Sequence, residues 1–155
     1  RRADWTHWIG SCPDTRQRVL MDESRVPPAF SLDGCVAIAG EWFSWYDGEL
    51  VTVPGVLDID HMVPLANAHR SGAASWSRDR KRAYANDLDH AAHLAAVTAT
   101  SNRQKGDKAP DAWRPPRRVA WCRYAAEWMT VKLRWKLTAT EAELLALEEM
   151  VATCP

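Results

Sequence analysis

A carboxylate and a histidine stand next to each other in the segment Asp58–Pro64, which reads Asp-Ile-Asp-His-Met-Val-Pro. Asp60 can hold a hard divalent cation on a phosphate, and a neutral His61 imidazole can take a proton from an attacking water. Asp58 is assigned to the same site, as a further metal ligand or as a residue that orients the metal or its water. These residues suit metal-assisted hydrolysis of a phosphodiester.

The residues before this pair predict a strand that ends at the histidine. Apolar and β-branched residues from 51 to 57, interrupted by Pro54–Gly55, indicate strand, turn and strand. Neighbouring side chains on a regular strand face opposite ways, so Asp60 and His61 can reach one phosphate only where the strand bulges or ends. Pro64 favours an ending strand, because proline lacks the backbone donor that continues a sheet.

A second apolar run, Leu94–Val97, predicts the partner strand. The residues Thr98–Ser101 lead from it into a helix that carries Asn102, and Thr100 or Ser101 is expected to cap that helix. Strand, strand and helix therefore form one unit around the Asp-His pair.

The order of these pieces resembles the HNH, or His-Me finger, endonucleases, whose shared core is a β-hairpin followed by a helix. The motifs that carry the resemblance are Asp-x-Asp-His-x-Val-Pro at 58–64, Asn-Asp-Leu at 86–88, Ala-Val at 96–97 and Asn-Arg-x-Lys at 102–105. From Cys35 to the C-terminus the chain looks, more narrowly, like the GmrSD-type branch found in secreted actinobacterial proteins. The resemblance implies an α+β fold with a ββα-metal finger as its core.

The resemblance also implies a role for each matching residue. Asp60 and Asn102 hold one divalent cation, His61 is the general base, and Asn86 braces the loop that carries this base. Asn102 stands where many HNH proteins have histidine. Since an amide oxygen is a harder donor than imidazole, Mg²⁺ is favoured over Zn²⁺, with Mn²⁺ or Ca²⁺ as alternatives.

Positive charge concentrates around the same motifs. The whole chain has 20 Lys plus Arg and 20 Asp plus Glu, yet residues 70–118 carry eleven basic and five acidic side chains. Such a run is usually a solvated face, but beside a phosphodiesterase motif it indicates contact with a nucleic-acid backbone. The predicted contacts lie on a helix over 77–88 and around the helix of Asn102: Arg78, Arg82, Arg103, Lys105 and Lys108. Arg103 is equally compatible with a structural pair to Asp107.

The four cysteines are widely spaced, and none has the CxxC spacing of a zinc ribbon. Four cysteines allow three pairings. We favour Cys12 with Cys35 and Cys122 with Cys154, because each pair joins neighbours in sequence; four buried free thiols are the alternative. Two disulfides predict a secreted protein. The chain begins without the apolar core of a signal peptide, so a mature form is expected, and no apolar run approaches the ~20 residues of a membrane span.

Aromatic residues recur every three or four positions in the C-terminal third: Trp121, Tyr124, Trp128 and Trp135. This spacing predicts an amphipathic helix over 119–137 whose aromatic stripe belongs to the core. The stretch Thr138–Glu141 has the spacing of a capping box for a final helix. The two helices are expected to pack antiparallel as a scaffold.

We expect a single domain over 1–155, with N-terminal support over 1–50, the finger over 51–110 and the helical scaffold over 117–155. The predicted function is that of a secreted, monomeric, metal-dependent endonuclease that cleaves DNA with little sequence preference, RNA being an open second substrate. No membrane and no obligate protein partner is expected. Two alternatives are a nucleic-acid-binding module without catalysis and a secreted interaction module stabilised by Ca²⁺.

Overall fold

Residues 12–155 are described by the computed structural model, and they fold into short antiparallel sheets surrounded by α-helices. The helices are α1 (Thr15–Glu23), α2 (Leu65–Arg70), α3 (Arg78–Ala85), α4 (Ala99–Lys105), α5 (Trp121–Trp135) and α6 (Glu141–Val151). The strands are β1 (Ala29–Phe30), β2 (Ala37–Ala39), β3 (Trp42–Ser44), β4 (Glu49–Val51), β5 (Leu57–His61) and β6 (Leu94–Thr98). They pair as β1 with β2, β3 with β4 and β5 with β6. The predicted α+β class is confirmed.

The β5–β6 pair carries the Asp-His motif, and β5 ends at His61 as the sequence predicts. In its register Asp60 lies opposite Ala95 and His61 opposite Leu94. The strand expected before Pro54 exists as β4, but it pairs with β3. A 3₁₀ turn over Pro54–Val56 separates β4 from β5 and prevents the two from forming a hairpin.

Helix α4 follows β6 directly. Its cap is Thr98, whose side chain accepts from the Ser101 amide at 3.3 Å, so the predicted caps Thr100 and Ser101 lie inside the helix instead. Asp47, in the turn between β3 and β4, accepts hydrogen bonds from the hydroxyls of both Thr98 and Ser101. This turn therefore fixes the start of α4.

Helices α5 and α6 form the predicted antiparallel scaffold. The disulfide Cys122–Cys154 joins the start of α5 to the residues just after α6, which requires the two helices to run in opposite directions. Tyr124 and Trp128 are completely buried, so the aromatic stripe is core. The final helix is capped by Thr140, two residues later than predicted, because Thr138 instead binds the Ser71 carbonyl and ties the scaffold to the end of α2.

Both favoured cysteine pairings are confirmed, since Cys12 is bonded to Cys35 and Cys122 to Cys154. Among the described residues, no helix has the length and apolar character needed to cross a membrane.

Candidate active site

Asp60 points from β5 into the protein, where its side chain is only 4% exposed. The Tyr46 hydroxyl donates to Oδ2 at 2.6 Å, and the Lys105 ammonium donates to the same oxygen. Burial raises the pKa of the Asp60 carboxyl, while Lys105 and Tyr46 oppose this rise by stabilising the charged form. Oδ1 takes part in neither bond and is the oxygen left for a ligand.

Lys105 is completely buried, so its predicted role as a substrate contact is wrong. Its ammonium donates to the Asp60 carboxylate and to the carbonyl oxygens of His61 at 2.8 Å and Met62 at 2.9 Å. These acceptors all belong to the end of β5 and the residue after it. Lys105 therefore holds the end of β5 in place, and its positive charge is paired with the Asp60 carboxylate in the protein interior.

His61 leaves the strand in another direction, towards the end of α3. Its Nε2 lies 3.0 Å from the carbonyl oxygen of Ala85. A carbonyl only accepts, so we assign the hydrogen to Nε2, which leaves Nδ1 as the basic nitrogen of the neutral ring. The ring lies nearly parallel to that of Tyr84, at 9° and 6.3 Å between centroids.

Asn86 follows Ala85 and ends helix α3. Its Oδ1 accepts from the Thr15 hydroxyl at 2.6 Å, and its Nδ2 donates to the Arg82 carbonyl at 2.8 Å. The two bonds hold the backbone at the point where the Ala85 carbonyl faces His61. This placement suits a bracing residue, and the bracing role itself stays a prediction.

Asn102 faces Asp58 across the contact between α4 and β5. Its Nδ2 donates to Asp58 Oδ2 at 3.0 Å. Because a carboxylate can only accept, the amide nitrogen must be the group turned towards Asp58, and Oδ1 is turned elsewhere. Residues 102 and 105 share one face of α4, and residues 58 and 60 share one face of β5. The Asn102 amide and the Asp60 carboxylate therefore lie on the same helix–strand contact.

The remaining predicted contacts lie at the surface around this site. Arg103 is exposed, and its Nε lies 3.5 Å from Asp58 Oδ2. The alternative pair of Arg103 with Asp107 is wrong, because Asp107 is bonded to Arg70 at 2.7 Å. Lys108 is exposed beyond α4 and donates to the Gln104 carbonyl at 2.5 Å.

The two arginines predicted on the basic helix, Arg78 and Arg82, are exposed on α3. Arg78, Arg82, Arg103 and Lys108 thus lie at the surface, and their contact with a nucleic-acid backbone stays a prediction.

Buried residues next to His61 support its ring, and the sequence did not identify them. The Tyr84 hydroxyl donates to the Val63 carbonyl at 2.6 Å, and His93 Nε2 lies 2.6 Å from the Tyr84 carbonyl. Burial lowers the pKa of His93 to about 4, which keeps this imidazole neutral among aromatic rings. Tyr46 was also missed, because nothing near it in sequence marks a partner 14 positions away.

The donor atoms at the helix–strand contact are of the kind that a magnesium-like cation prefers, and the metal site itself stays a prediction. Asp60 Oδ1 and Asn102 Oδ1 are hard oxygen donors outside the hydrogen bonds that fix their side chains. Asp58 contacts Asn102 and Arg103, which suits a residue that orients Asn102, and its predicted part in the metal site stays a prediction.

Asp60 and His61 thus lie at the end of β5, and Asn102 contacts Asp58 of the same strand from helix α4. Residues 34–150 match the family model described as the C-terminal domain of GmrSD restriction endonucleases, and the chain belongs to this family. The resemblance to HNH-type nucleases is thereby confirmed, while the narrower actinobacterial assignment stays a prediction.

One relative supports the predicted location of the protein. The chain is 44% identical over 158 residues to a protein from Arthroderma benhamiae named "Uncharacterized secreted protein", and the match covers 99% of this chain and 74% of the relative. Together with the two disulfides, this confirms the prediction of an extracellular protein. No solved structure matches the chain.

Proposed function

We propose that this protein is a metal-dependent endonuclease that hydrolyses DNA phosphodiesters, built on a ββα-metal finger of β5, β6 and α4. The observation that carries the proposal is the hydrogen bond between His61 Nε2 and the Ala85 carbonyl. This bond fixes the His61 ring at the end of β5, where Asp60 precedes it in the strand, and Asn102 lies on the neighbouring helix α4. Family membership, extracellular location and the basic residues around the site support the same function.

The chain's own residues prepare the site for hydrolysis. His61 Nδ1 accepts a proton from a water that attacks the phosphorus, while Nε2–H stays on Ala85. Tyr46 and Lys105 hold Oδ2 of Asp60 still, and Asp58 holds the amide of Asn102. These bonds fix the reacting groups in advance, so little reorganisation is needed when substrate binds.

Asp60 and Asn102 are the residues that would hold the cation, Mg²⁺ being the best match to their oxygens. When bound, such an ion supplies charge stabilisation to the phosphate and to the departing oxygen. In-line attack with departure of the 3′ oxygen leaves a 5′ phosphate on the product.

The test is cleavage of supercoiled plasmid and of total RNA by purified protein in Mg²⁺, Mn²⁺, Ca²⁺ or EDTA. The His61→Ala variant is compared with His69→Ala, a matched change at a half-buried histidine of α2. We expect metal-dependent cutting that disappears in His61→Ala and persists in His69→Ala. The two substrates then decide between DNA and RNA.

Other outcomes identify the alternative functions. Binding of nucleic acid without cutting under any metal would indicate a binding module and overturn the proposal. A melting temperature that rises with Ca²⁺, in the absence of binding and cutting, would indicate a secreted interaction module. Calorimetry with Mg²⁺ on Asp60→Asn gives a separate check, since unchanged affinity would remove Asp60 from the ligand set.

A further inference from the structure

Two arginines outside the predicted site lie on aromatic rings at the surface. The Arg117 guanidinium is 5.6 Å from the ring of Phe43, and that of Arg118 is 5.3 Å from the ring of Trp121. Arg118 is exposed, and Phe43 is 41% exposed. We call these four residues the arginine surface.

The two guanidinium groups of the arginine surface have no acidic partner among the described residues. Among residues 12–155, neither Arg117 nor Arg118 forms an ion pair, whereas the neighbouring Arg114 is bonded to Glu149 at 2.6 Å. Each guanidinium lies within the ~6 Å range of a cation–π contact, which restricts its side chain at the surface. A guanidinium can donate paired hydrogen bonds to the oxygens of a phosphate.

The arginine surface is joined to the site through one turn. Arg117 donates its backbone N–H to the Tyr46 carbonyl at 3.2 Å, and the same tyrosine holds Asp60. The Arg117 side chain lies directly over Gly48, where an added Cβ would come within 2.8 Å of its Cδ. Gly48 also has φ of +83°, so this position needs glycine both for the turn and for the arginine above it.

We propose that the arginine surface binds the phosphates of a nucleic-acid strand beyond the bond that is cleaved. The inference rests on the proposed function, because the turn at 46–48 links these arginines to Asp60 and to the start of α4. A strand that places one phosphate at the end of β5 then continues over Arg117 and Arg118. The arginine surface lengthens the region that binds nucleic acid and takes no part in the hydrolysis itself.

The test compares a long and a short substrate. The variants are Arg117→Gln, Arg118→Gln and their double variant, with Arg25→Gln as control, an exposed arginine paired with Glu41 at 3.4 Å. Duplex DNA reaches both the active site and the arginine surface, whereas the small ester bis(p-nitrophenyl) phosphate reaches the active site alone. We expect the ratio of duplex to ester kcat/KM to fall by about tenfold or more in the double variant, since a slope of about 0.9 per contact makes one phosphate contact worth about eightfold in affinity at about 0.1 M salt relative to 1 M.

Binding without catalysis gives an independent reading. Fluorescence anisotropy of a labelled duplex is measured in EDTA with His61→Ala as the background. Each arginine change should reduce the slope of log affinity against log salt by about 0.9, while Arg25→Gln leaves the slope unchanged.

The outcomes separate this inference from the proposed function. If duplex and ester hydrolysis fall together in the arginine variants, the change acts through the Tyr46 turn, and the inference is overturned. An unchanged salt slope in the double variant also overturns it. If the wild type hydrolyses neither substrate but the slopes change as expected, the proposed function fails and the binding surface stands.

Discussion

Replacing Lys105 with methionine tests whether this buried lysine holds the end of β5 together. Methionine fills a similar volume but donates no hydrogen bond to Asp60, His61 or Met62. The Asp60 carboxylate then keeps a buried charge with Tyr46 as its one remaining donor among the described residues. Removing one partner of a buried ion pair costs about 3–5 kcal/mol, and we expect the free energy of unfolding to fall by that amount.

The assay is urea denaturation followed by tryptophan fluorescence. Lys108→Met is the matched control, because Lys108 is exposed and lies just beyond the same helix; it should stay within about 0.5 kcal/mol of wild type. The double variant Asp60→Asn/Lys105→Met removes both charges. It should recover part of the stability, since the uncompensated charge is gone, but it should not regain nuclease activity.

Two results would refute this reasoning. A loss below about 1 kcal/mol in Lys105→Met, equal to that in Lys108→Met, would mean that the clamp contributes little. If the double variant is no more stable than Lys105→Met, the loss comes from packing and not from an unpaired charge.

Three further predictions concern the buried carboxyl of Glu23, the disulfide of the helical scaffold and the bracing role of Asn86. Burial raises the pKa of the Glu23 carboxyl from 4.5 to about 7. The contribution of Glu23 to stability therefore falls as pH rises through this range, and the stability of Glu23→Gln relative to wild type should rise by at most about 3 kcal/mol, measured by urea denaturation; a constant difference between the two proteins would contradict this. Replacing Cys122 and Cys154 with alanine opens a loop with a sequence separation of 32 and should lower unfolding free energy by roughly 3–4 kcal/mol; an unchanged urea midpoint would be evidence against it. Asn86→Ala should lower kcat about 10²-fold, because the Ala85 carbonyl that orients His61 is no longer held in place. The circular dichroism spectrum should be unchanged, and a wild-type kcat in this variant would exclude the bracing role of Asn86.

The sequence predicts the parts of the fold that depend on local pattern. The apolar run at 94–97 becomes β6, the strand with the Asp-His pair stops at His61, and Tyr124 and Trp128 of the aromatic stripe are buried in the core. Each of these follows from the periodicity of a single element or from one breaker residue. The disulfide pairing was also predictable, because each pair joins neighbouring cysteines.

The parts that depend on distant contacts were not predictable. Lys105 looks like a surface residue, since lysine is rarely buried, and the Asp60 carboxylate and the carbonyl oxygens of His61 and Met62 make its burial tolerable. Tyr46 reaches Asp60 from a turn between two other strands. Thr140 replaces the predicted cap because Thr138 is bonded to the end of α2, a contact across 67 positions of chain.

The bond between His61 and Ala85 has a consequence for repeated turnover. A neutral ring donates from Nε2 to the carbonyl, and a ring that has taken a proton at Nδ1 donates from the same nitrogen to the same oxygen. In the proposed mechanism the imidazole therefore need not rotate between cycles, because the same Nε2–H bond orients it in both protonation states.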